Sequence, residues 1–94
     1  MDRTPTVILT AHAEVQLERL GAPARAAVDW LETMGLDEIR WMAESLPPQH
    51  GREMWLLWAD GVRVLFDMED SDVTVHGIGL RPTRHSRRRR SETG

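Results

Sequence analysis

Apolar residues recur with two different spacings along this chain, and the spacing changes near Gly51. From about Ala11 to Gly51 they recur every three or four residues, which is typical of amphipathic helices, and after Gly51 they follow the extended pattern of strands. The run Thr6–Thr10, near the start of the chain, predicts a short buried strand. Thr10 can then cap a first helix from about Ala11 to Arg19, which Gly21 ends.

A second helical stretch runs from Pro23 to Leu46, with Gly35 as an interruption. Its spacing allows either one kinked helix or two helices, and Leu46-Pro47-Pro48 ends it because proline cannot continue a helix. Trp30 and Trp41 lie within this stretch and are predicted to be core residues.

Two strand-like runs, Arg52–Trp58 and Val62–Met68, flank Asp60-Gly61, which is a strong signal for a two-residue hairpin turn. A third strand is predicted at residues 73–78, after an acidic turn. The predicted order is β-α-α-β-β-β, an α+β domain in which helices pack on one face of a small, mostly antiparallel sheet. The domain is predicted to span residues 1–85, and the Arg-rich segment 86–94, which lacks apolar residues, is predicted to be disordered.

A turn at Asp60-Gly61 also determines the strand register, because the residues on either side of it must pair. Trp58 then faces Arg63, and alternation assigns the strand residues to two faces. The face under the helices is predicted to hold Trp55, Leu57, Val64, Phe66 and Met68. The opposite face is predicted to hold Arg52, Met54, Leu56, Trp58, Arg63, Leu65 and Asp67. An Arg–Trp pair there can stack a base and hold a phosphate, or simply cover the sheet.

Charge is distributed unevenly along the 94 residues, although the net charge is only −3. Residues 1–80 carry six Arg against fourteen Asp and Glu, whereas residues 81–94 carry six Arg against one Glu. The chain has no Cys, which excludes disulfides and thiolate metal sites, and its four His show no metal-ligand spacing, so we expect no metal and no cofactor. Without a long apolar run or a signal peptide, we expect a cytoplasmic location and no membrane partner.

The segment Trp55–Phe66, the acidic turn and the run Val73-Thr-Val-His-Gly-Ile-Gly-Leu-Arg81 resemble the C-terminal half of the RelE/ParE toxin superfamily, nearest its phage-derived, HigB-like branch. The resemblance spans residues 6–85. It implies the toxin of a type II toxin–antitoxin pair, which a cognate antitoxin protein neutralises by wrapping its surface. Most RelE-like members cut mRNA on the ribosome without a metal, and ParE-like members poison gyrase.

The resemblance also implies site residues. Arg63 matches the family's active-site Arg on the middle hairpin strand, and Arg81 matches the basic residue that closes the last strand. His85, with Arg84 beside it, falls near the family's acid–base residue. The predicted catalytic residues are therefore Arg63, Arg81 and His85, and the predicted nucleic-acid contacts are Arg52, Trp58 and Arg84.

The chain departs from the nuclease pattern at Met54, Leu56 and Trp58, where active members place charged residues. Cleavage by a 2′-hydroxyl needs a base, an acid and cations that stabilise the phosphorane, and the sequence offers no obvious acid–base group besides His85. Two hypotheses follow. The first is a ribosome-dependent mRNA endoribonuclease that inhibits translation. The second is a non-catalytic binder, either a ParE-like gyrase inhibitor or a degenerate toxin-fold protein.

Overall fold

The computed structural model describes residues 3–80. The elements in chain order are β1 (Thr6–Leu9), α1 (Ala11–Leu20), α2 (Ala22–Thr33), α3 (Leu36–Met42), β2 (Glu44–Gln49), β3 (Arg52–Ala59), β4 (Val62–Glu69) and β5 (Asp72–Leu80). The prediction of an α+β domain with a mostly antiparallel sheet is confirmed. The predicted order β-α-α-β-β-β is incomplete, because the described residues contain one further helix and one further strand.

The five strands form one sheet in the order β1-β5-β4-β3-β2, in which β1 is parallel to β5 and the other neighbours are antiparallel. The predicted register of β3 and β4 is confirmed for every pair from Trp55↔Phe66 to Ala59↔Val62. Asp60 and Gly61 have φ angles of 53° and 80°, which a turn matched to the twist of the two strands requires. A two-residue turn of this kind leaves no freedom for the strands to slip.

Capping residues bound α1 as the sequence predicts. The Thr10 side chain accepts a hydrogen bond from the Ala13 N–H at 3.1 Å, which satisfies one of the free donors of the first turn. Gly21, at φ 74°, ends α1 and its N–H donates to the Leu17 carbonyl at 3.0 Å. The second helical stretch is two helices, and Met34 and Gly35, both extended, separate α2 from α3.

The predicted extension of that helical stretch to Leu46 is wrong, because α3 ends at Met42 and residues from Glu44 form β2. This strand pairs only with β3 and is an edge of the sheet. Pro47 and Pro48 lack an N–H group, and an edge strand tolerates them because one of its sides needs no ladder bonds. The register shifts between Leu46 and Gln49, where the prolines lie.

The core lies between the helices and one face of the sheet. Phe66 is the largest fully buried side chain, and it packs with helix residues such as Leu31 and Ile39. The remaining strand residues of this core are Leu57, Val62, Val64, Val73, Val75 and Ile78. Trp55 and Met68 pack against its margin, so the predicted inner face is confirmed. The opposite face of the sheet carries no helix of this core.

Two predictions of burial are wrong. β1 is an edge strand, and Ile8 on it is 44% exposed, because the sheet pairs β1 on one side only. Trp41 is 85% exposed, because the short helix α3 buries Leu36 and Ile39 and turns its other side outward. Trp30, in contrast, packs partly against the core as predicted. Within residues 3–80, no helix combines the length and the apolar character that a membrane crossing would need.

Candidate functional site

The face of the sheet opposite the main core, which we call the open face, contains a groove of about 370 Å³. The groove crosses the sheet from β2 to β5, and Gln16 of α1 lines it at the β5 end. Its floor is largely apolar, and its lining includes Gln16, Leu46, Leu56, Arg63, Leu65 and Gly79. Arg63 is the one charged side chain in the lining that the described residues provide. The groove is therefore locally cationic although residues 1–80 are acidic in total.

The side chain of Arg63 can lie over β5, at that side of the groove, because its cross-strand partner on β5 is a glycine. Arg63 pairs with Gly79 across β4 and β5, and a Cβ added to Gly79 would lie 2.9 Å from Arg63 Nε and 3.6 Å from Cζ. The guanidinium thus rests against the glycine backbone and is exposed to solvent. An exposed guanidinium retains donors for a phosphate.

A hydrogen bond to Gln16 connects α1 to the edge of the sheet. β1 pairs with β5 only along Asp72–Val75, so the later N–H groups of β5 extend beyond the end of β1. The Ile78 N–H donates to Gln16 Oε1 at 2.7 Å, and this bond joins α1 to the part of β5 that lines the groove. The neutral Gln16 side chain therefore satisfies a backbone N–H group at the edge of the sheet and adds no charge near Arg63.

Trp58 lies in a different depression from Arg63. The register places the two residues opposite each other as predicted, but Trp58 lines a second depression of about 390 Å³ together with Pro23 and Trp30 of α2. β2 reaches only as far as Leu56 on β3, so within the described sheet no strand covers the end of β3 beside Trp58. The two depressions share no described lining residue, and the nucleic-acid contact at Trp58 stays a prediction.

Arg52 belongs to a cluster with Asp67 and His76. Arg52 Nη1 lies 3.2 Å from Asp67 Oδ2, and His76 Nε2 lies 2.5 Å from the same oxygen. Asp67 is the one charged residue that is buried within residues 3–80, and its two partners supply the hydrogen bonds that a buried carboxylate needs. We refer to Arg52, Asp67 and His76 as the Asp67 cluster.

His76 shares the open face with Thr74, the cross-strand partner of Asp67, and a β-bulge lies at His76. Leu65 pairs with Gly77 and Phe66 with Val75, so His76 is the extra residue on β5. Alternation from Thr74 places His76 on the open face, and the bulge then places Gly77 on that face as well. Arg52 and Asp67 were both predicted on the open face, whereas no face was predicted for His76.

Met54 is buried, although the sequence places it with Leu56 and Trp58 on the face opposite the helices. It is 5% exposed and lies outside the main core cluster, while Leu56 is half-buried in the groove floor. The strip formed by Met54, Leu56 and Trp58 is therefore not one exposed surface: one residue is buried, one lines the groove and one lines the second depression.

Arg81, Arg84 and His85 lie outside the described residues, and so does the predicted tail 86–94. The chain leaves β5 at Leu80, the residue after Gly79, at the end of the groove where Arg63 lies. Among residues 3–80 no group of three or more His, Cys, Asp and Glu side chains could hold a metal ion.

A comparison of the chain with models of known protein families finds no match, and a comparison with curated proteins finds none either.

Proposed function

We propose that this protein is the toxin of a type II toxin–antitoxin pair, that it cleaves mRNA on the ribosome, and that the groove on the open face is its RNA site. The observation that carries the proposal is Arg63, the one cation that residues 3–80 place in the lining of the groove, with the Asp67 cluster beside it. Ionic screening acts over about 8 Å at physiological salt, so a phosphate in the groove responds to local cations more than to the acidic total.

The strands in the second half of the chain support the proposal. The sequence resemblance to the RelE/ParE superfamily falls mostly on β3, β4 and β5, and these strands contribute Arg52, Arg63 and His76 to the open face. The α+β order with helices on one face agrees with the order that the resemblance implies, apart from the additional α3 and β2.

The chemistry that we assign to Arg63 is stabilisation of the phosphorane. A 2′-hydroxyl that attacks the neighbouring phosphorus creates charge on the non-bridging oxygens, and a guanidinium beside them lowers the barrier. Arg81, the second guanidinium that the resemblance implies, follows Leu80 in the sequence and lies outside the described residues. His85 remains the predicted acid for the leaving 5′-oxygen.

Induced expression in cells followed by mapping of mRNA 5′ ends tests the proposal. We expect new ends within codons for the native chain and for Arg25→Ala, a control that removes an exposed Arg from α2. We expect none for Arg63→Ala at matched protein level and with an unchanged circular dichroism spectrum. Intact mRNA in cells whose growth the native chain arrests would contradict the nuclease proposal.

The apolar floor of the groove favours a second candidate, a non-catalytic inhibitor that binds a protein such as gyrase. Leu46, Leu56 and Leu65 offer a surface that suits an apolar side chain better than a nucleotide phosphate. DNA damage without mRNA cleavage after induction would favour this candidate. A short adjacent reading frame for an antitoxin-like protein would agree with either candidate.

A further inference from the structure

We propose that Asp67 positions His76 as the general base of RNA cleavage. The inference rests on the proposed nuclease function and deepens it, because the sequence alone offered no proton acceptor to act with His85.

The hydrogen bond between the two residues determines which nitrogen of His76 carries a proton. A carboxylate only accepts hydrogen bonds, so the neutral imidazole that contacts Asp67 Oδ2 through Nε2 must carry its proton on Nε2. Nδ1 then has a free electron pair and can accept a proton. Asp67 thereby sets both the tautomer and the orientation of the ring.

Solvent exposure increases from Asp67 to His76 to Arg52, as expected when a buried carboxylate orients an accessible base. The side chain of Asp67 is 6% exposed, that of His76 is 32% exposed and that of Arg52 is 57% exposed. The buried carboxylate is held rigidly by two donors, whereas the imidazole remains accessible to a ligand. Arg52 uses one terminal nitrogen on Asp67 and keeps further N–H donors for a phosphate beside His76.

The Asp67 cluster lies next to the groove. Gly77, the residue after His76, lines it, and Gly79 under Arg63 lies three residues from His76 on the same strand, or about 10 Å at 3.3 Å per residue. A nucleotide bound over β5 between them would therefore present its 3′-phosphate to Arg63 and its 2′-hydroxyl to His76.

The reaction balances without a further reactant. His76 Nδ1 takes the proton of the 2′-hydroxyl, and the 2′-oxygen forms a bond to the adjacent phosphorus. The bond from phosphorus to the 5′-oxygen breaks, and that oxygen leaves with a proton from a water molecule. The products are a 2′,3′-cyclic phosphate and a 5′-hydroxyl, and His76 returns its proton to the hydroxide that remains.

The first test measures cleavage of mRNA on translating ribosomes by the native chain and by His76→Gln. The glutamine amide can donate to Asp67 but cannot take the proton, so we expect kcat to fall about 10²–10⁴-fold with little change in KM. His12→Gln, an exposed change on α1, is the matched control and should cleave at the native rate. An mRNA with a single 2′-deoxy nucleotide at the cleavage site should resist the native chain.

The second test measures the ¹⁵N chemical shifts of the His76 ring, which report which ring nitrogen carries the proton. We expect a protonated Nε2 and an unprotonated Nδ1 in the native chain, and a mixture of the two tautomers in Asp67→Asn together with a lower kcat. An Asp67 that does not position His76 for the reaction would leave kcat unchanged in a folded Asp67→Asn variant. The measurement on the native chain can overturn the inference even if either variant fails to fold.

The outcomes separate the inference from the proposed function. A native chain that cleaves no mRNA overturns both. A native chain that cleaves, together with a folded His76→Gln that cleaves equally well, overturns the inference alone. A native ring protonated on Nδ1 also overturns it, because that nitrogen could not then accept the proton.

Discussion

Gly79→Ala offers a way to displace Arg63 without removing its charge. The added Cβ would lie 2.9 Å from Arg63 Nε, which is below any normal contact. Nonbonded heavy atoms prefer separations of 3.5–4.0 Å, so the guanidinium must move by about 0.6–1.1 Å. The atoms that must move belong to a flexible, exposed side chain, so the backbone need not follow.

The two effects of this substitution differ in size. Gly79 does not have a left-handed backbone, so alanine is unstrained there, and we expect the free energy of unfolding to change by less than about 1 kcal/mol. A displacement of about 1 Å at a site that must fit a transition state can cost about 10²-fold in rate. Cleavage should therefore fall far more than stability does.

The assay compares Gly79→Ala with Gly77→Ala, a matched control on the same strand. A Cβ at Gly77 would meet Gln16 Oε1 at 3.7 Å and Leu65 Cβ at 4.0 Å, which are ordinary contacts. Cleavage rate, growth inhibition and urea unfolding should be measured for both variants. We expect a large loss of activity for the first and a small one for the second.

Equal activity of the two variants would refute the reasoning, since the position of Arg63 over β5 would then not matter. A large loss of stability in Gly79→Ala would refute the structural part of it, because the backbone and not the side chain would have moved.

Further predictions concern the core, the other site residues and the tail. Phe66→Ala should cost about 3–5 kcal/mol in urea unfolding because Phe66 is fully buried, and half-buried Trp58→Ala should cost much less; a reversed ranking would contradict the core assignment. Arg63→Ala and Arg81→Ala should each slow cleavage about 10²–10³-fold and relieve growth inhibition, and His85→Ala should do the same, with antitoxin binding intact; folded variants that stay fully toxic would contradict the site. Truncation after His85 should leave the melting temperature nearly unchanged, and a drop of many degrees would show that the Arg run packs on the domain.

The hairpin of β3 and β4 could be predicted completely from the sequence. The Asp60-Gly61 turn and the period-2 pattern depend on residues a few positions apart, so every pair of the register and the face of Phe66 followed from local signals. The cap of α1 at Thr10 and its end at Gly21 are local in the same sense.

β2 could not be predicted in this way. The apolar spacing up to Leu46 resembles a helix, and Pro47 and Pro48 are unusual in strands. The segment becomes a strand because β3 presents an unpaired edge to it, and the pairing of Glu44 with Leu56 satisfies backbone groups that no local signal specifies.

The candidate site also has one part that the sequence predicts and another that depends on the folded sheet. Alternation alone placed Arg52, Arg63 and Asp67 on the open face, because side-chain direction repeats every two residues in a strand. His76 contacts Asp67 from the neighbouring strand β5, and Arg52 contacts it from β3, across separations of 9 and 15 residues. Such contacts form only when the strands pair and the buried carboxylate must find donors, so the Asp67 cluster is a property of the folded sheet and not of any segment of the chain.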